Sequence, residues 1–385
     1  MTLLGYGAGE LDRRGGAWTA REIRQQPEVW KATQELIRGE APAVRAFLAP
    51  LLARPDLRII LTGAGSSAFI GRCLQPELLA ALGRRVEVLA TTDLVAGPTQ
   101  YLQPEVPTLL VSFARSGSSP ESVAATELAD DVVRDCHHLV ITCNAEGALY
   151  RRHAGRARSH AVLLPKATHD RGMAMTSSFS AMLYAGLVLL HPEASLDVPR
   201  IGRAAEAVLE DGAALIRALA SGPHRRVVFL GSRCLQGLAD EAALKLLELT
   251  DGEVVAIAES PLGFRHGPKA FLDAGTLVVV LASNDPLVRR YDLDLARELV
   301  EEGVAGRVLV LSASAGDLGG LDAVIPPGLD GAADGELCFP YIVWAQMLAL
   351  GHSLALGRTP DDPSRSGTVS RVVKGVVIHR AGAPR

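Results

Sequence analysis

Positive charge is what this 385-residue sequence has least to spare: 39 Lys and Arg face 43 Asp and Glu, a net charge of −4 and a pI near 6.2. No basic field is available to attract nucleic acid or an anionic membrane surface, although a local basic pocket for a small phosphate is still allowed. Cysteine is scarce too. The five (Cys73, Cys136, Cys143, Cys234, Cys338) are scattered, odd in number and include no C-x-x-C pair. That is neither a disulfide framework nor a zinc site, and it fits a reducing, cytoplasmic compartment. The histidines show no H-x-x-x-H or H-x-x-E-H spacing, so neither a metal nor any other cofactor is implied. Residues 1–10 lack the basic-then-apolar order of a secretory signal. The most apolar late stretch, Tyr341 to Leu356, carries Gln346 and His352, is too short for a bilayer and reads as a buried helix.

What is present is a regular alternation. Residues 1–55 form an N-terminal helical segment, with Pro27, Pro42 and Pro50 as punctuation. Short apolar runs follow at Leu57–Thr62, Val86–Ala90, Thr108–Phe113, His138–Thr142 and Ala161–Leu164, separated by helical stretches such as Ala68–Leu82. Strands that are apolar on both faces and alternate with helices describe a parallel sheet covered on both sides. The second half repeats the order at Val227–Leu230, Leu277–Ala282 and Val308–Ser312, offset by 168 residues (63 to 231, 109 to 277) or about 170. This nearly constant offset implies an internal duplication of a doubly wound α/β unit. The first unit is expected over 56–215 and the second, with a C-terminal tail, over 216–385. A helix over Ile201–Leu219 bridges them. In such sheets ligands bind at the carboxyl ends of the strands, so the loops there are the place to look.

The first loop is Thr62-Gly63-Ala64-Gly65-Ser66-Ser67. It resembles a dinucleotide fingerprint, but Ala90-Thr91-Thr92 stands where an acidic residue should end the second strand. A helix start whose N–H groups, with Gly65, Ser66 and Ser67, bind a phosphate monoester is favoured instead. The second loop, Ser112-Phe113-Ala114-Arg115-Ser116-Gly117-Ser118-Ser119-Pro120, offers Ser116, Ser118 and Ser119 around a glycine, with Arg115 adding charge. Ser119 can cap a helix with Pro120 at its first position. The bland alternative is a flexible serine turn; a dianion nest fits better beside the first loop. Thr176 and Ser177 open a further helix, and capping alone would explain them.

The chemistry lies further along. Glu241, Lys245 and Glu248 are spaced i, i+4, i+7 on one helical face flanked by Ala and Leu, so buried charges with partners are expected there. An intrahelical ion pair is the competing reading. Eighteen residues after Glu248, Gly263-Phe264-Arg265-His266-Gly267-Pro268-Lys269 sets a histidine in a tight turn between two cations, where it can exchange protons near neutral pH.

Together these segments carry a family resemblance. The Ala-Leu-Lys-Leu-x-Glu helix and Arg-His-Gly-Pro turn resemble the isomerase half of glucosamine-6-phosphate synthase, and the serine loops resemble those of sugar isomerase (SIS) domains. Thr19–Pro27, Ser112–Ser119, Ala174–Phe179, Gly263–Lys269 and Ser366–Val373 are similar to the bacterial tagatose-6-phosphate ketose/aldose isomerases, also described as galactosamine-6-phosphate deaminases. The resemblance implies that Ser67, Ser116 and Ser119 hold the sugar phosphate. It implies that Glu248 moves the proton between C1 and C2 beside Lys245, and that His266 opens the ring from across a homodimer interface. Lys374 aligns with a lysine that reaches into the synthase site. No glutaminase-like segment accompanies these motifs, which favours releasing ammonia over consuming it. The expected enzyme converts galactosamine 6-phosphate to tagatose 6-phosphate. The rivals are a plain aldose–ketose isomerase and a sugar-phosphate-sensing module.

Overall fold

The computed structural model describes residues 2–191, 193, 196–373 and 375–379. A small antiparallel hairpin, β1 (Thr2–Leu3) with β2 (Tyr6–Gly7), precedes helices Ala8–Arg13, Ala17–Arg24 and Gln26–Leu52. The last of these runs straight through Pro42 and Pro50, which therefore do not end it. An interior proline costs a helix roughly 3 kcal/mol. Burial of Val29, Trp30, Ile37, Val44, Leu48 and Leu51 along one face offsets that cost. Pro27 does sit at the helix start, where its missing N–H is harmless.

The first sheet comprises β3 (Arg58–Thr62), β4 (Val86–Val88), β5 (Thr108–Ala114), β6 (Cys136–Thr142) and β7 (Ser159–Leu163), all parallel in the order β4-β3-β5-β6-β7. The second comprises β8 (Arg226–Gly231), β9 (Val255–Glu259), β10 (Thr276–Leu281), β11 (Arg307–Leu311) and β12 (Ala323–Val324), in the equivalent order β9-β8-β10-β11-β12. Each sheet therefore has its first strand between the second and third, and the chain reverses direction across the sheet between the first and third strands. Strands β5 and β10 are buried along their whole length, as their unbroken apolar runs require. Strand β9 is a half-exposed edge. The bridging helix is interrupted at Gly212, giving Val198–Asp211 and Ala213–Ala220.

Between the two sheets, helices Ser66–Leu82 and Cys234–Leu249 cross in contact, and helix Asp334–Ala355 packs against the latter. Asp334–Ala355 is long and apolar enough to cross a membrane, but from Asp334 to Leu354 it is buried inside this fold. The crossing is made at Gly237: a Cβ there would lie 2.6 Å from the Cys73 nitrogen and 2.7 Å from the Arg72 carbonyl carbon. Only glycine lets the two backbones come this close. Because Gly237 meets Cys73 while Lys245 meets Ser66, the helices run antiparallel. The far end of one thus arrives at the start of the other.

The duplication extends to backbone detail. Gly65, at the start of the first of these helices, has φ 54°, ψ −127°; Arg233, 168 positions on (65 to 233), has φ 56°, ψ −124°. Both follow a glycine that tolerates no side chain: a Cβ on Gly63 would lie 2.5 Å from the Ser67 carbonyl carbon, and one on Gly231 2.3 Å from the Leu235 oxygen.

Candidate active site

Strand register places the serine loops side by side. Thr62 is level with Ser112, and Ala114 with Thr142, so the loops after β3, β5 and β6 leave the sheet together at its reversal point. Ser66 and Ser67 open their helix and are buried. In the second loop Gly117 has φ +62°, and a Cβ there would press on the Thr142 hydroxyl at 3.2 Å. The Asn144 amide donates to the Ser116 carbonyl (2.8 Å) and the Ala148 N–H to the Ser118 hydroxyl (3.2 Å). Ser119 stands at the N-cap position ahead of Pro120, and its hydroxyl donates to Ser122 (2.6 Å).

Across from these loops is the charged face of the Cys234–Leu249 helix. The Lys245 ammonium donates to the Ser66 hydroxyl at 2.8 Å, lies 3.5 Å from Glu241 and bonds directly to Glu248. One cation therefore joins the second half's helix to the first half's loop. Lys245 and Glu241 are fully buried, whereas the Glu248 side chain keeps 24 % of its surface exposed. Glu248 is the member of the trio that a molecule held by the serine loops can touch. Burial pushes the Glu241 carboxyl up to about 8 against the pull of Lys245. Burial alone would lower Lys245, but Glu241 and Glu248 outweigh it and its pKa is raised.

Several buried polar atoms around this place have no hydrogen-bond partner among the described residues: Ser112 Oγ, Arg115 Nε, Asp170 Oδ1, Thr176 Oγ1 and both Glu241 oxygens. Buried polar groups are normally satisfied, so such a concentration suits a polar ligand.

Arg115 and Ser177 also hold neighbouring segments together. The buried Arg115 guanidinium donates to the carbonyls of Met173 (3.0 Å) and Arg371 (2.7 Å), tying the C-terminal tail and the 172–173 segment to the second loop. The Ser177 hydroxyl donates to the Glu22 carbonyl (2.7 Å) and accepts from the Gln25 amide (2.8 Å). Thr176 stands at the N-cap position of its helix without a side-chain capping bond, and is buried. Its N–H, the Ser178 N–H and the Ser178 hydroxyl all donate to one oxygen of Asp170. Met175 lies 3.9 Å, sulfur to hydroxyl, from Ser67. His266 sits on an exposed turn, its N–H donating to the Gly263 carbonyl (2.9 Å). Lys374 lies outside the described residues.

A family model for the SIS domain matches residues 51–192. An AgaS protein of Streptomyces coelicolor is 53% identical, the match covering 94% of this chain and 95% of that one. The D-galactosamine-6-phosphate deaminase AgaS of Escherichia coli O157:H7 is 47% identical over 94% of this chain and 96% of its own. The chain belongs to the AgaS family of SIS-domain proteins. The crystal structure of tagatose-6-phosphate ketose/aldose isomerase from Escherichia coli superposes with a TM-score of 0.89 at 44% identity, covering 96% of this chain and 98% of that one.

In this AgaS-family chain, the second sheet's corresponding loops are filled from within. Asp292 accepts from the Ser232 hydroxyl (2.7 Å) and the Ser283 N–H (3.0 Å). Asp334 accepts from the Ser283 hydroxyl (2.6 Å) and the Asn284 N–H (2.8 Å). Two carboxylates thus occupy donors of these second-sheet loops. Among the described residues one group has metal-ligand chemistry, Asp130, Cys136 and His138, whose donor atoms lie within 4.8 Å of one another. It sits near the start of β6, at the opposite edge from the serine loops, and Asp130 is also paired with Arg156 at 2.8 Å.

Sequence reasoning missed two acids. Asp170, whose carboxylate organises the Thr176 helix start, stands in no motif. Glu22 is buried and accepts from the Gly172 N–H (3.1 Å), its carboxyl pushed up to about 8 by burial and by Asp170. The available signal for Glu22 was its place inside the Thr19–Pro27 segment that carries the resemblance.

Proposed function

We propose that this protein is a D-galactosamine-6-phosphate deaminase, converting galactosamine 6-phosphate and water to tagatose 6-phosphate and ammonia. The observation that carries the reading is Lys245, which ties the Glu248 helix to the Ser66 loop and so sets a carboxylate beside a phosphate-binding edge. Family membership at 44–53% identity to AgaS proteins supplies the substrate class.

The 6-phosphate is held by Ser67, Ser116, Ser118 and Ser119 and by the N–H groups at the two helix starts. That anchor positions C1 and C2 of the open sugar at Glu248. Glu248 takes the C2 proton as O1 gains one, giving a C1–C2 enolamine, and returns the proton to C1 as the nitrogen loses one. The resulting C2 imine is hydrolysed by water to the ketone and ammonia. C1 is reduced as C2 is oxidised within the sugar, so no external oxidant or reductant is required. His266 gives a proton to the ring oxygen as the sugar opens. Its exposed turn suits a site completed across a two-fold homodimer interface, where each subunit serves its partner.

The test is ammonia release from a panel of hexosamine 6-phosphates, with ketose phosphate measured in parallel. Ammonia and tagatose 6-phosphate in equal amounts from the galactosamine ester are the expected products. Isomerisation of a phosphorylated aldose with no ammonia from any hexosamine ester would replace this reading with a plain isomerase, the activity named for the E. coli structure.

A further inference from the structure

The His266 turn is fastened from outside itself. Phe264, fully buried, anchors one side, and Gly267, at φ +119°, turns the chain on the other. Arg265 and Lys269, on either side of the histidine, reach the same residue of helix Pro286–Glu302. Arg265 Nε and Nη2 donate to one oxygen of Glu298 (2.9 and 2.7 Å), and Lys269 Nζ donates to the other oxygen (2.5 Å) and to Glu302 (2.6 Å). A single exposed ion pair does little. Here one carboxylate holds a cation on each side of the histidine, each with its own oxygen, and a planar guanidinium fixes direction as well as distance.

We propose that Glu298 is a positioning residue for His266: by tying Arg265 and Lys269 to the Pro286–Glu302 helix it fixes where the imidazole is presented. The proposal rests on the catalytic role given to His266 above. Glu298 touches no substrate; it acts through the turn. Misplacing a reacting group by about 1 Å can reduce a rate by roughly a hundredfold. Losing the clamp on a turn still held by Phe264 should therefore lower kcat by about tenfold, with KM within about twofold.

The experiment measures steady-state ammonia release from galactosamine 6-phosphate by the full-length wild type, Glu298→Ala, His266→Ala and the double variant. The expected result is a kcat loss in Glu298→Ala that disappears in the His266→Ala background, because a positioning residue has nothing left to position. A merely structural role would cost the same factor in both backgrounds, and that result overturns the proposal, as does a Glu298→Ala enzyme with wild-type kcat. A loss in His266→Ala without one in Glu298→Ala overturns this proposal alone. Full activity in His266→Ala removes the histidine's role and this proposal with it. If Glu298→Ala does not fold, Glu298→Gln carries the same test, since an amide can still accept from Arg265 but gives Lys269 no charge.

Discussion

Substituting Gly237 by alanine sets two known effects against each other. In an isolated helix the change is favourable by roughly 1 kcal/mol. Here the new methyl would sit 2.6 Å from the Cys73 nitrogen, whereas ordinary Cβ contacts begin near 3.4 Å. The atoms it meets are backbone, so they cannot swing aside, and the helices must part by about 0.8 Å, the difference between those distances. Overpacking of this kind costs about 1–3 kcal/mol, so stability should change by between zero and a loss of about 2 kcal/mol. The rate should suffer more. The same two helices carry Ser66 and Lys245, whose 2.8 Å bond spans them, and a displacement approaching 1 Å can cost up to roughly a hundredfold. Gly39 supplies the control: it is also helical, but a Cβ there meets nothing within 4 Å. Gly39→Ala should gain up to about 1 kcal/mol and keep wild-type kcat. Urea unfolding and ammonia release measured on both variants decide the matter. A Gly237→Ala protein with Gly39-like stabilisation and unchanged kcat would show that the close crossing does not set the site, and the reasoning would be wrong.

Three further outcomes are expected. Ser116→Ala or Ser119→Ala removes a hydroxyl donor to a dianion worth roughly 1.5–3 kcal/mol, so KM should rise about tenfold or more; unchanged KM in both would place the phosphate elsewhere. Glu248→Gln and His266→Ala homodimers, each reduced to a small residual activity, should regain roughly a quarter of wild-type activity once dissociated and mixed, because half the dimers are mixed and each of these holds one intact site. Mixed dimers verified by mass spectrometry but inactive would rule out sharing. Glu22 has its folded-state carboxyl raised from 4.5 to about 8, so its contribution to stability is fully present below pH 4.5 and is lost as pH rises through 8. Glu22→Gln should flatten the fall in urea midpoint between pH 5.5 and 8.5, and an undiminished slope would assign it to other groups.

The parts of this protein legible in advance were those written in periodicity. The i, i+4, i+7 spacing put Glu241, Lys245 and Glu248 on one face, and the structure joins them. The 168-residue offset implied two like sheets, and their strand orders match. Strand β9 does not appear among the expected strands, although Val254–Ala258 is an unbroken apolar run and the 168-residue offset applied to Val86–Val88 points to it. Pro42 and Pro50 read as helix stops because propensity is local, whereas the burial that overrides it is tertiary. The Lys245–Ser66 bond depends on a helix crossing between residues far apart in the chain, and no local pattern encodes it. Arg115 was read from its neighbours alone, and no local pattern encodes its carbonyl partners, which come from segments more than fifty residues away.

An antiparallel pair of equivalent helices has two ends, and a perfectly symmetric ancestor would have carried a reaction centre at each. At the end described above, Ser66 and Ser67 face Glu241, Lys245 and Glu248. The same positions at the other end, 168 residues displaced, are Cys234 and Leu235 facing Cys73, Glu77 and Ala80. The hydroxyls have become a thiol and an alkyl chain, and neither the lysine nor the carboxylate three residues beyond it has a counterpart. Asp292 and Asp334 meanwhile plug the neighbouring loops. On the proposed function, one copy of the unit keeps no phosphate site of its own and lends the other its helix, so each chain should take up a single phosphate ester at saturation.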